Sequence, residues 1–523
     1  MTLLPLVLLL TGCRPGADRT SPGPDPAQGP ETAISIDAGT TKPISPYIYG
    51  ANQPEWDKEG DLFTFVRQGG NRMTAYNWET NASNAGNDYH FQNDNYMGAS
   101  DEPGWTVRTF MEPAQAHGAA VILTVPTAGY VSADKKGDGD VHNTPNHLQT
   151  RFLKSYARKN APFVYPPDLN DHAVYQDEFV AWVEKVKSPA TPVWFDLDNE
   201  PDLWGSTHEE IWPKNPTYAQ IIANNIEFAG AIKDAAPGAL VFGPVNYGWG
   251  GFMTFQGAND GGGRNFLDVY LAAMKDAEAK AGKRLLDTLD VHWYPEAQGD
   301  GVRVTDNSNK PGVAPARIQA PRSLWDPDYV ETSWITRTLG GKPIALLPLL
   351  FGKLEVFYPG TKLAITEYNY GGGSEVSGAI AQADVLGIYG RYGVFAAANW
   401  GVSSKDVAEL DGFRAFRNFD GAGARFGDLG LPVTGTSAAS NSVYAALDSK
   451  DAKRLTLVVI NKGTDATSFR FSFRKFTPGT ARAFTVTAAS LGHAASTPVR
   501  VRDEDVLFSA PGLSVSTIEI KAG

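Results

Sequence analysis

Two stretches of this 523-residue chain carry side chains able to do chemistry together. In Val193-Trp194-Phe195-Asp196-Leu197-Asp198-Asn199-Glu200-Pro201, a β-branched and aromatic run ends at an acidic segment and a proline. The run reads as a buried strand. Proline has no N–H to give a sheet ladder, so the strand stops where Asn199 and Glu200 emerge. Lys362-Leu363-Ala364-Ile365-Thr366-Glu367-Tyr368-Asn369 repeats the design, an apolar strand with a glutamate at its C-terminal end. Two carboxylates at the ends of two parallel strands are the equipment for acid/base cleavage of a glycosidic bond. A single glutamate at a strand end is an ordinary solvated group; the pair is what carries the chemical reading.

The elements that must position this pair alternate along the chain. Short apolar runs separated by helical segments signal βα units around a parallel sheet. Eight such runs are present, the number a (β/α)8 barrel needs: Tyr47–Ala51, Phe63–Gln68, Ala119–Val125, Val193–Leu197, Leu240–Val245, Thr288–Trp293, Leu363–Thr366 and Val394–Asn399. Between them, 177–187, 217–236, 266–281 and 380–392 read as helices, the second opening on the capping-box pair Thr217 and Gln220. The apolar run 344–351 contains Pro348 and reads as a short core helix. Glu200 then closes the fourth strand and Glu367 the seventh, both at the barrel mouth where such folds place their sites. A gap of about 5–5.5 Å between the carboxyl groups suits a retaining glycosidase, and about 6.5–9.5 Å an inverting one.

The expected fold class is α/β: a TIM-like barrel over residues 46–428 with an additional all-β sandwich. Beyond Asp428, the runs 442–447, 454–461, 468–473, 481–488 and 512–520 read as short strands with no helical periodicity, giving a β-sandwich over 429–523. A lone strand at Ala33–Asp37, within residues 33–45, joins it.

Lys and Arg total 46 against 58 Asp and Glu, a net charge of −12. That argues against binding nucleic acid or an anionic membrane through a basic face, and it suits a neutral polysaccharide. The one cysteine, Cys13, excludes an internal disulfide and a thiolate metal cluster. It follows the short apolar run Leu3–Leu10 in Leu10-Thr11-Gly12-Cys13, which looks like a lipoprotein signal over residues 1–12 with lipid on Cys13, although no Lys or Arg precedes the run. The alternative is a plain secretion signal with an incidental cysteine. Residues 13–32, rich in Pro, Gly, Asp and Ser, read as a disordered tether. The expected location is the bacterial cell surface or outer membrane, or secretion. The only membrane contact would then be an N-terminal lipid anchor, and a monomer is expected.

The chain resembles glycoside hydrolase family 44, the endo-β-1,4-glucanase and xyloglucanase family. The resemblance rests on Arg67-Gln68-Gly69-Gly70-Asn71-Arg72, Ala75-Tyr76-Asn77-Trp78-Glu79, Asn81-Ala82-Ser83-Asn84-Ala85-Gly86, Asp198-Asn199-Glu200-Pro201, Asp290-Val291-His292-Trp293-Tyr294 and Thr366-Glu367-Tyr368-Asn369. It implies Glu200 as acid/base and Glu367 as nucleophile in a retaining double displacement. Around them, Asn199 is expected to bond the sugar 2-hydroxyl and Arg72 to hold Glu367 ionised. His292 and Tyr294 are expected to orient Glu367, and Trp56, Trp78 and Trp400 to stack on glucose rings. The competing readings are a structural ion pair for Arg72 and core packing for each tryptophan.

No redox cofactor or nucleotide is suggested, and catalysis requires none. The resemblance implies a structural calcium, with Glu79, Asp168 and Asp171 as oxygen ligands. The competing functions are a xyloglucan- or mannan-preferring hydrolase of the same chemistry, and a non-catalytic glycan-binding surface lipoprotein, which the presence of both glutamates disfavours.

Overall fold

A computed structural model describes residues 31–523; Cys13, the signal and nearly all of the tether lie outside the described residues. Eight parallel strands close on themselves: β1 Tyr47–Asn52, β2 Phe65–Gln68, β3 Ala120–Val125, β4 Val193–Leu197, β5 Val241–Asn246, β6 Thr288–Trp293, β7 Lys362–Tyr368 and β8 Ala396–Asn399. Pairing of Ala396 with Tyr47 joins β8 to β1 and leaves no free edge. Each strand falls within two residues of its expected bounds, because the apolar runs that define barrel strands are short and sharply ended.

Side chains alternate along each strand, so residues two apart share the barrel interior. The lower layer is apolar: Phe65, Ile122, Trp194, Phe242, Ala364, Ala396 and Ala398 pack as one cluster. Trp194 fills most of it, against Tyr47, Phe242 and Phe395, and the alanines opposite leave it room. Two residues further up the strands the layer turns polar, with Arg67, Asp196, Asp290 and Thr366 all fully buried.

The register is irregular at the seventh strand. Val291 pairs with Ile365, but the next pair is His292 with Glu367, skipping Thr366. The pairing to β8 skips at the same place. An extra residue of this kind bends the strand and re-aims the side chains that follow, as bulges beside active sites do; here it sets Glu367 opposite His292.

The helix Tyr218–Ala235 has the expected cap at Thr217, with both reciprocal capping-box bonds made. The apolar run at 344 is longer than expected, a helix from Leu346 to Phe357. Pro348 is its third residue, where a missing N–H costs nothing.

Strands within residues 32–43 and 429–522 form the all-β domain, a curled sheet whose layers enclose Ile34, Leu457, Val459, Phe471, Val506 and Ile518. The early strand, Thr32–Asp37, lies parallel to Thr467–Arg474 with Ile34 beside Phe471. Five strands of this sheet lie outside the runs marked in the sequence: the short Lys42–Pro43, Leu429–Leu431 and Val433–Thr434, and the longer Ala495–Arg502 and Asp505–Ala510. The hairpin of the longer two turns on Asp503 and Glu504, both with positive φ and neither a glycine or asparagine; the usual turn signal is missing. This domain is fastened to the barrel helix Val376–Tyr392. Lys462 Nζ lies 2.7 Å from Asp384 Oδ2, both side chains 1% exposed, and the Tyr444 hydroxyl donates to Asp384 Oδ1 at 2.6 Å.

Candidate active site

Glu200 follows β4 on strained backbone. Asp198 and Glu200 have φ of 71° and 44°, conformations that cost non-glycine residues about 1–2 kcal/mol each. Asp198 holds the turn in place. Its Oδ1 accepts from Thr74 Oγ1 at 2.6 Å and from Asn199 N at 2.8 Å, while Oδ2 accepts from Thr127 N and Ala128 N. Glu200 N donates to Val245 O at 3.0 Å. The glutamate therefore enters the cleft from an over-determined loop.

Across the mouth, Glu367 is gripped on both oxygens. Arg67 Nη1 donates to Oε1 at 2.7 Å, and the Tyr294 hydroxyl donates to Oε2 at 2.7 Å. His292 stands between the two acids, its Nδ1 2.7 Å from Glu200 Oε1 and 3.5 Å from Glu367 Oε2. One carboxylate oxygen from each glutamate and a His292 nitrogen all lie within 4.8 Å of one another. The cleft above them is lined by Asn71, Asn199, Tyr247, Tyr294, Arg303 and Trp400.

The environments of the two acids differ. Burial, reinforced by the nearby Asp202, pushes the Glu200 carboxyl up to about 8, with Arg67 opposing. Burial pushes His292 down to about 3, against the pull of Glu367, so the imidazole is neutral near neutral pH. Burial carries the Tyr294 hydroxyl well above its ordinary value, leaving it a proton donor. A guanidinium touches only one of the two glutamates, Glu367.

Several expected placements need correction. Arg72 does not reach Glu367. It pairs with Asp94 at 2.7 Å and lies 4.2 Å over the Tyr96 ring, because it falls beyond β2 in the 3-10 turn Asn71–Met73. The arginine at Glu367 is Arg67, inside β2, where period-two alternation points it into the barrel. His292 has Glu200 as its nearer partner, and Tyr294 alone of the pair bonds Glu367. Trp78 is 1% exposed and packs on Phe179 and Trp182, so it belongs to the core. Trp56 stacks on His117, which follows the helix Trp105–Ala116, and does not line the cleft. Trp400 does line it, half-buried. Tyr247 and Arg303 also line the cleft without being singled out in the sequence: Tyr247 follows β5, and Arg303 lies in the short hairpin strand Val302–Arg303 beyond β6, paired to Gln298.

Two glycines after β2 make room for this arrangement. A Cβ on Gly69 would lie 2.1 Å from Arg67 Cζ, and one on Gly70 (φ +92°) 2.5 Å from the Trp400 ring.

With this geometry in view, the likeness to known proteins is decisive. Endoglucanase A of Paenibacillus lautus is 39% identical over 502 residues, covering 92% of this chain and 71% of that one. The chain belongs to glycoside hydrolase family 44. The profile of that family matches residues 82–297. The family 44 endoglucanase of Clostridium thermocellum superposes with a TM-score of 0.88 at 38% identity, over 94% of this chain and 99% of that one. A family 44 xyloglucanase of Paenibacillus polymyxa, solved with xyloglucan, gives 0.88 at 37% identity over the same shares. As a family 44 member the chain is a glycoside hydrolase with a barrel and an accompanying all-β domain.

Away from the cleft, Glu79 is 2% exposed. Burial first, then the charges of Asp171, Glu178 and Asp168, push its carboxyl up to about 8, with Lys159 opposing. Lys159 Nζ is already bonded to both oxygens of Glu178, at 2.7 and 2.8 Å. Asp134 and Asp138 both pair with Arg151.

Proposed function

We propose that this family 44 hydrolase is an endo-acting β-1,4-glucanase that cleaves cellulose-type chains and xyloglucan with retention of configuration. Glu367 is the nucleophile and Glu200 the acid/base. The carrying observation is the approach of the two carboxylates to within 4.8 Å. So close an approach of one oxygen from each favours the separation of about 5–5.5 Å at which the second carboxylate attacks directly over the about 6.5–9.5 Å that admits a water. The substrate assignment is supported by the endoglucanase and xyloglucanase relatives.

In this mechanism a Glu367 oxygen bonds to the anomeric carbon as the glycosidic C–O bond breaks, and its electron pair leaves with the departing oxygen. Glu200, a carboxylic acid below about pH 8, gives that oxygen its proton. Water then enters, Glu200 takes a proton from it, and hydroxide displaces Glu367. Arg67 balances the charge on Glu367, and Tyr294 fixes its second oxygen. Arg67 Nη2 donates to Asn199 Oδ1 at 2.9 Å, which leaves the Asn199 amide N–H free to donate to the sugar 2-hydroxyl, a contact that strengthens in the transition state. Anomeric NMR during hydrolysis tests the scheme: β-configured products appear first, and initial α-products rule it out.

A structural calcium at Glu79, Asp168 and Asp171 also belongs to this reading. The donors are all hard oxygens, and the crowding of charge around Glu79 is what a divalent cation would relieve. Lipidation of Cys13 and export rest on the position of the cysteine after the apolar run. Labelling with a radioactive fatty acid that a Cys13→Ala variant loses would support them.

A further inference from the structure

Among the described residues, the barrel interior beneath Glu367 holds one cation, Arg67, and two carboxyl groups, Asp196 and Asp290. Arg67 is fully buried. Its Nε donates to Asp196 Oδ2 at 2.7 Å, its Nη1 to Glu367 Oε1 at 2.7 Å and its Nη2 to Asn199 Oδ1 at 2.9 Å. Asp196 is also fully buried. Asp290 faces the same charge from β6 without a direct bond to it; it accepts from Thr366 Oγ1 at 2.8 Å. Burial, Arg67 opposing, lifts Asp290 to about 8, so it is uncharged near neutral pH. Arg67 thus contacts two carboxyl groups: Asp196, which burial raises against the pull of Arg67, and Glu367, the one that touches substrate.

The reaction changes this balance. When Glu367 bonds to the anomeric carbon its negative charge is lost, and that charge reappears on Glu200 as Glu200 gives up its proton. Glu200 does not touch Arg67. A buried guanidinium stripped of its contacting anion is costly, because no water replaces the lost partner. On the two-glutamate reading above, we infer that Asp196 is a positioning residue for the covalent intermediate: it stays paired to Arg67 when Glu367 becomes an ester, and so keeps the intermediate accessible. Asp196 lies two residues below Asp198 and four below Glu200, on the strand that presents the acid, so one strand carries both the proton donor and the counter-ion of the opposite strand's nucleophile.

The test is Asp196→Asn, which keeps the shape and an acceptor for Arg67 Nε and removes only the charge. An aryl 2-deoxy-2-fluoro-cellobioside with a good leaving group traps the glycosyl-enzyme and separates its formation from its breakdown. In the wild type the label is expected on Glu367 by peptide mass. In Asp196→Asn, trapping is expected to slow by about tenfold to a hundredfold, while reactivation of the trapped enzyme is unchanged or faster. Asp290→Asn, which removes no charge at neutral pH, should leave both rates near wild type. If Asp196→Asn does not fold, the pair Asp196→Glu and Asp196→Gln compares charge at equal bulk, and trapping should survive only in the first. Equal trapping rates with and without the charge overturn the inference. Failure of the wild type to label at Glu367 overturns instead the assignment on which it rests.

Discussion

His292 Nδ1 and Glu200 Oε1 are 2.7 Å apart at the barrel mouth, one from β6 and the other from the turn after β4, with β5 between those strands. Burial drives these groups in opposite directions, His292 down to about 3 and Glu200 up to about 8. Between those values the pair holds its acidic proton on the carboxyl and the imidazole stays neutral. An acid that must be protonated to act loses function as pH rises through its own value, so kcat/KM on glucan is expected to fall above about pH 8 with a single-proton slope. A basic limb unaffected by Glu200→Gln in the residual activity would assign it to another group.

The same shift has a cost in stability. The folded value of Glu200 is about 8 against an ordinary 4.5, so the folded state holds a proton that the unfolded chain releases between those values. Stability from this group is complete below about pH 4.5 and declines as pH rises toward 8. Glu200→Gln removes the decline. Its Tm should exceed wild type by a few degrees at pH 8 and match it at pH 4; calorimetry at both values decides.

Removing either glutamate separates the two roles. Glu367→Gln should abolish turnover on every substrate with Tm within a few degrees of wild type. Glu200→Ala should lose roughly 10²–10⁴-fold on glucan but far less on an aryl cellobioside whose leaving group needs no proton. Equal losses on both substrates would remove Glu200 from the acid role.

Gly70→Ala places a methyl group against the Trp400 ring in a backbone conformation that disfavours it. The ring is displaced, and KM for soluble glucan should rise severalfold while kcat changes little, as it should in Trp400→Ala. A kcat loss without a KM change in either variant would mean that Trp400 is no sugar platform.

Among the described residues, the two domains share one buried ion pair, Lys462 with Asp384. Lys462→Met leaves the buried Asp384 carboxylate without its counter-ion and with the Tyr444 hydroxyl still donating to it, a change expected to cost about 3–5 kcal/mol; the Lys462→Met/Asp384→Leu double variant should recover most of it. Chemical denaturation of the three proteins measures this. Additive losses would show that the pair is not what fastens the sandwich to the barrel.

What the sequence determined by itself is the set of elements and the pair of acids. Apolar period and proline placement are local properties, and they marked eight barrel strands and put Glu200 and Glu367 at strand ends. What only the tertiary structure decided is which side chains meet across the barrel. Arg67 and Arg72 sit five residues apart, one in the second strand and one in the turn after it, and only the closed barrel decides that Arg67 is the one to meet Glu367. Trp78 and Trp400 are the same residue type, one sealed in the core and one on the cleft. The skipped pairing at Thr366, which turns Glu367 toward His292, is a property of three strands together. Direction and register arise from contacts between segments hundreds of residues apart, and no window along the chain contains them.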